Sequence, residues 1–228
     1  IMLMTGKIYN RFLKRGPGQM LDLAGFKDGD SFLDLCCGTG RATIEAVNRG
    51  ASSGFAIDRI SSKISPEFKK TGFGHYQHGP IKFRVWEVRE FLNQVAEYAP
   101  EDERFDCIFC QQAINYWLKT KDDIKKTSAE LVSNILTPNG KFVFNTFNTK
   151  PSEDISVKEY EIDGVHYAEV SQLVDGVVHH GQFCEGLIPD HQEFDWISSE
   201  EFMTLLKPYF KNISIHSYGP TDIYVCSN

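Results

Sequence analysis

Nowhere in these 228 residues do about 18 apolar residues run together without a charge, so no segment reads as a membrane-spanning helix and no membrane partner is expected. Cysteine is sparse: Cys36, Cys37, Cys107, Cys110, Cys184 and Cys226 are too few for a disulfide scaffold and suit a reducing, cytoplasmic setting. Repeats, low-complexity tracts and linkers are missing too, so one domain over residues 1–228 is expected, and IMLMTGKIYNRF is too polar for a secretory leader. The last third is short of positive charge: residues 151–228 hold 3 Lys+Arg against 14 Asp+Glu, whereas residues 1–150 hold 21 against 17. Such a tail repels phosphate backbones, which disfavours bulk nucleic acid, and over a binding site it favours a neutral or cationic small molecule. A metal set is incomplete as well. Cys107 and Cys110 form the one CxxC, a strand would point them to opposite faces, and no metal site is expected.

What the chain does have is alternation. Apolar strand-like runs SFLDL (31–35), SGFAID (53–58), IKFRVWEV (81–88), FDCIFCQQ (105–112) and KFVFNTF (141–147) are separated by helix-like segments such as RATIEAVNRG (41–50) and DDIKKTSAELVSNIL (122–136). That order predicts a parallel sheet with right-handed crossovers, an α/β fold. After Lys150 the pattern changes to short alternating runs punctuated by Asp163-Gly164 and Asp175-Gly176, strong hairpin signals. An antiparallel meander is expected over about 155–196, then a helix over 198–210 and two closing strands joined at Gly219-Pro220.

The stretch SFLDLCCGTGRAT (31–43) carries the chemistry. Gly38 and Gly40 lie in a turn between strand and helix, where backbone can approach a nucleotide-type ligand. Thr43 stands where a dinucleotide fingerprint has its third glycine, and Asp58 ends the next strand 20 residues after Gly38, at ribose-gripping spacing. Asp34 discriminates between cofactors. A carboxylate there opposes a pyrophosphate and suits the cationic amino group of S-adenosylmethionine (SAM).

On these residues the chain resembles the class I SAM-dependent methyltransferases over nearly its whole length. Their first-strand motif, hh-D-x-G-x-G-x-G, is matched by Phe32-Leu33-Asp34-Leu35-Cys36-Cys37-Gly38-Thr39-Gly40, with Cys36 replacing the first glycine. A left-handed backbone at Cys36 would be costly. Phe105-Asp106-Cys107-Ile108 and Leu136-Thr137-Pro138-Asn139-Gly140 are similar to the fourth-strand motif and the turn before the fifth strand. The resemblance implies a Rossmann-like seven-stranded methyltransferase sheet, the meander inserted as a substrate lid, and SAM as cofactor. It also implies cofactor contacts from Asp34, Cys36, Gly38, Gly40, Asp58 and Arg59, from Glu87 and Val88 near the adenine, and from Gln111 and Tyr9.

Methyl transfer is an in-line displacement, so the protein must align the acceptor and set its protonation state. The loop Gln111 to Trp117 offers Asn115 and Tyr116 as catalytic candidates, with Trp117 either functional or core. The meander holds His166, His179, His180 and His191. Adjacent His179 and His180 must face opposite sides of a strand, so one at most reaches a cleft, and the pair stands as base candidates. Glu185, Asp190 and Trp196 are alternates for holding a cationic amine.

Cys110-Gln111-x-Ala113-Ile114-Asn115-Tyr116 is similar to the C-Q-x-A-L-H-Y segment of mRNA cap guanine-N7 methyltransferases, with Asn115 in place of their histidine. The meander with Glu201-Phe202 and Ile223-Tyr224-Val225-Cys226 resembles instead the small-molecule N- and O-methyltransferases of the glycine and amino-sugar type. Methylation of a small acceptor is the leading expectation. A cap-type RNA methyltransferase, a non-catalytic SAM-binding protein and a NAD(P)-dependent oxidoreductase are the alternatives. Oligomeric state is not legible.

Overall fold

A computed structural model describes residues 16–59, 64–72, 75–98, 104–111, 113–162, 164–184 and 190–228. Five parallel strands form its centre: β1 (Ser31–Leu35), β2 (Ser53–Asp58), β5 (Ile81–Val85), β6 (Phe105–Cys110) and β7 (Leu136–Phe147). Antiparallel β13 (Thr221–Ser227) and β12 (Asn212–Tyr218) extend one edge. At the other edge, β3 (Lys69–Gly72) and β4 (His75–His78) form a hairpin, so the order is β12-β13-β7-β6-β1-β2-β5-β4-β3. The seven expected strands are present, and the hairpin makes the sheet nine-stranded. Its sequences KKTG and HYQH are polar and mostly exposed, so no apolar alternation announced them.

Both sheet faces are covered, which is why the central strands are apolar throughout. Phe32, Ala56, Phe83, Phe109 and Val143 pack with Met20 and Leu21 of α1 (Gly18–Ala24) and Ala42 and Ala46 of α2 (Arg41–Asn48). On the other side Leu33, Leu35, Ile57, Ile108 and Phe144 meet four helices, α3 (Val88–Tyr98), α4 (Ile114–Trp117), α5 (Lys121–Glu130) and α6 (Ser199–Leu206). Capping boxes start α5, from Thr120 and Asp123, and α6, from Ser198 and Glu201. Asp106 staples the sheet's amino edge, its carboxylate accepting from Ser31 N (2.9 Å), Ser31 Oγ (2.9 Å) and Thr137 Oγ1 (2.9 Å).

The expected meander is a separate four-stranded antiparallel sheet, ordered β11-β10-β9-β8: β8 (Ser156–Ile162), β9 (Val165–Val174), β10 (Val177–Cys184) and β11 (Asp190–Asp195). Asp175 and Gly176 both have positive φ, 49° and 82°, the two-residue hairpin turn that Asp-Gly favours. One face of this sheet buries Tyr167, Leu173, Val178 and Cys184, while Val157, Val174 and Phe183 stay exposed on the other. Asp195 N donates to Lys119 O (2.9 Å), between α4 and α5, and Leu173 N to Ser152 O (2.8 Å), in the segment that follows β7. Among the described residues no helix is long and apolar enough to cross a membrane.

Candidate functional site

The turn after β1 is built from three left-handed residues: Cys36 (φ 55°), Gly38 (φ 56°) and Gly40 (φ 79°). Cys36 thus adopts the costly conformation that glycine would take freely, at about 1–2 kcal/mol. Cys37 N donates to Ile57 O (3.0 Å) and Gly40 N to Cys37 O (2.8 Å), which curls the chain back into α2. A side chain at Gly40 would put Cβ 2.5 Å from the Phe68 ring, so glycine is required by space as well as by φ.

Two acids sit at the carboxyl ends of adjacent strands. Asp58 Oδ2 accepts from Gly38 N (2.9 Å), so the second strand's carboxylate fixes the glycine turn. Asp34 is buried, 2% exposed, and accepts from Thr43 Oγ1 (2.7 Å). Burial raises its pKa to about 7, although the Thr43 hydroxyl and main-chain hydrogen bonds oppose the rise. A carboxylate pressed toward neutrality in this way regains its charge when a cation is brought beside it. The crowded turn and this acid therefore fit SAM, with its flat adenosyl group and cationic amino end. Thr43, noticed in the sequence only as a missing glycine, is the residue that orients Asp34.

Glu87 is exposed and its carbonyl accepts from Phe91 N (3.0 Å), placing it just before α3. Val88 opens that helix and is buried, so its amide belongs to the first turn, where amides have no intrahelical acceptor. Trp86 N donates to Asp58 O (3.0 Å), joining this corner to the second acid. Arg59 is exposed and Gln111 half-buried at the same carboxyl edge. Tyr9, Gln112 and Glu185 lie outside the described residues, as does the side chain of Tyr116.

Beyond β6 and β7, Asn115 Nδ2 donates to Thr146 Oγ1 (3.1 Å). Thr146 pairs in register with Asp222, which accepts from Ser199 Oγ (2.5 Å) and Asn148 Nδ2 (2.8 Å). Burial raises the Asp222 pKa, but hydrogen bonds from Ser199, Ser217 and Asn148 prevail and hold it below the usual value. No local pattern marks Asp222 and Ser199 as site residues, because their partners come from distant segments. Trp117 is core: it is buried and its Nε1 donates to Cys110 Sγ (3.3 Å).

The two histidines divide as the strand requires. His180 shares the face of β10 that buries Val178 and Cys184, whereas His179 lies on the opposite face with His191 and Glu193. The pair thus faces opposite sides of the strand, as adjacent strand residues must. Asp190 and Trp196 bracket β11, with Trp196 N donating to Gly176 O (2.8 Å). Cys107 and Cys110 belong to the two opposite cores, and burial pushes both thiols up, Cys110 to about 12. Desolvation raises Cys36 and Cys37 well above the ordinary thiol value too.

Residues 26–207 match the family described as a methyltransferase domain. Among curated proteins the chain is similar to a ribosomal RNA large subunit methyltransferase K/L from Syntrophotalea carbinolica, 25% identical over 166 residues, which is 70% of this chain. It spans only 22% of that relative's length. Similar solved folds include an S-adenosylmethionine-dependent methyltransferase from Clostridium acetobutylicum (TM-score 0.62, 18% identity, 92% of this chain and 88% of that one). The CcbJ methyltransferase of Streptomyces caelestis is another (TM-score 0.67, 13% identity, 93% and 90%). A third is SAM-bound CalS10, an amino pentose methyltransferase from Micromonospora echinaspora (TM-score 0.64, 13% identity, 100% and 98%). With the family match covering residues 26–207, most of its length, the chain belongs to the SAM-dependent methyltransferases.

Proposed function

We propose that this chain transfers the SAM methyl group to a nitrogen or oxygen of a small, neutral or cationic acceptor. The observation that carries the reading is the pair of acids, Asp34 and Asp58, closing adjacent parallel strands around a turn of left-handed residues. SAM, when bound, supplies an electrophilic sulfonium methyl. Asp34, oriented by Thr43, pairs with the cationic amino group, and Asp58 holds the ribose hydroxyls while it keeps Gly38 in place. Gly38, Gly40 and Cys36 let the backbone come close, Glu87 and Val88 receive the adenine, and Arg59, Gln111 and Tyr9 complete the cofactor side.

On the acceptor side, Asn115 and Tyr116 orient the substrate, with the Asn115 amide steadied by Thr146. His180 is the base candidate when the acceptor must lose a proton. The four-stranded sheet acts as a lid that excludes water within one domain. Support for a small acceptor comes from the acidic last third, from this second sheet, and from structural neighbours such as the amino pentose methyltransferase, whose fold covers the whole chain.

The curated relative, a ribosomal RNA methyltransferase, favours a second reading, methylation of RNA, of which the cap guanine-N7 type is the form suggested by the Cys110–Tyr116 segment. Both readings are tested by incubating the chain with methyl-labelled SAM and either an amine, amino-sugar and alcohol pool or total RNA. Label in a small molecule is the expected result. Label in RNA that ribonuclease releases would replace this reading with the second, and SAM binding without label in either pool would leave a non-catalytic binding protein.

A further inference from the structure

We propose that His179, His191 and Glu193 form a binding site for a zinc-class divalent transition-metal ion on the outward face of the four-stranded sheet. His179 of β10 and Glu193 of β11 are directly opposite in register, and His191 lies two residues from Glu193 on the same face. Gly181 is the cross-strand partner of His191. With no side chain there, the His191 ring leans toward His179, and the two rings stack at 5.9 Å and 20°.

The donor atoms converge on one oxygen. His179 Nδ1 is 3.2 Å from Glu193 Oε1, and His191 Nε2 is 3.9 Å from the same atom. All three donors lie within 4.8 Å of one another. Four ligands at about 2.0–2.1 Å in a tetrahedron are separated by about 3.3 Å, so small side-chain rotations bring this trio to metal geometry. Two imidazoles and one carboxylate suit zinc and its neighbours, whereas magnesium and calcium take oxygen sets. His191 and Glu193 are exposed and His179 is partly so, which leaves the remaining position open to water. A bound ion would clip β10 to β11 and so hold the strand whose other face presents His180.

Titration calorimetry of the full chain with zinc chloride, with magnesium chloride as the comparison, tests this. One equivalent of zinc should bind, and the thermal transition should rise with zinc. His191→Ala and Glu193→Gln should each weaken zinc binding by about tenfold or more, a loss of at least about 1.4 kcal/mol. His166→Ala, which removes an exposed histidine elsewhere on the same face, should leave binding unchanged. His191 and Glu193 are exposed, so these two variants should melt like the parent without metal. No uptake at sub-millimolar zinc, equal uptake of magnesium, or uptake unaffected by His191→Ala, as thiol binding would give, overturns the proposal.

Discussion

If Asp34 pairs with the SAM amino group as proposed, SAM affinity should depend on pH. Its carboxyl is raised by burial to about 7, and pairing with the cationic amino group requires the ionised form. Binding below that value must therefore expel a proton, and the apparent Kd grows by the factor 1 + 10^(pKa − pH). The factor is about 11 at pH 6 and about 1.3 at pH 7.5, so affinity should fall about eightfold between them. Asp34→Asn keeps an acceptor for Thr43 but cannot ionise. It should bind SAM more weakly at pH 7.5 by about 1.5–3 kcal/mol, the worth of a charged hydrogen bond, and lose the pH slope. Calorimetry in two buffers of different ionisation enthalpy would count the released proton. A wild-type affinity that is flat from pH 6 to 7.5, or an equal slope in Asp34→Asn, would refute the reasoning. The same shift acts on the unliganded fold. Because the folded value lies above the unfolded 3.8, the protonated acid's contribution is full below about pH 4 and is lost as pH rises through about 7. Asp34→Asn should accordingly raise the melting temperature at pH 8 more than at pH 5.

Thr43→Val removes a hydroxyl that favours ionised Asp34, so the pH midpoint of SAM binding should move upward; a midpoint moving downward in calorimetry would contradict this. Asp58→Ala should weaken SAM binding by about 1–3 kcal/mol, through the lost ribose grip and the released Gly38 amide, and unchanged affinity would remove Asp58 from the site. Cys36→Gly relieves a left-handed non-glycine residue, so chemical denaturation should show stability within about 1 kcal/mol of the parent or above it; a loss beyond about 2 kcal/mol would mean that thiol packing outweighs backbone strain. Asn115→Ala should lower kcat while SAM affinity stays within about twofold, since its hydrogen bond goes to Thr146 on the acceptor side; an equal loss of both would assign it to folding.

The sequence by itself determined the parallel sheet, the glycine turn with its two acids, the Asp-Gly hairpin turns of the second sheet and the opposite facing of His179 and His180. These follow from local periodicity, strand alternation and turn chemistry, which a short window contains. The polar β3–β4 hairpin escaped because an exposed edge strand needs no apolar face. Tertiary structure alone decided that Thr43 serves Asp34, that Ser199 and Asn148 hold Asp222, and that His191 joins His179 and Glu193. Each of those contacts depends on loop curvature or cross-strand register, and register is fixed by how whole faces are buried rather than by any neighbouring residue.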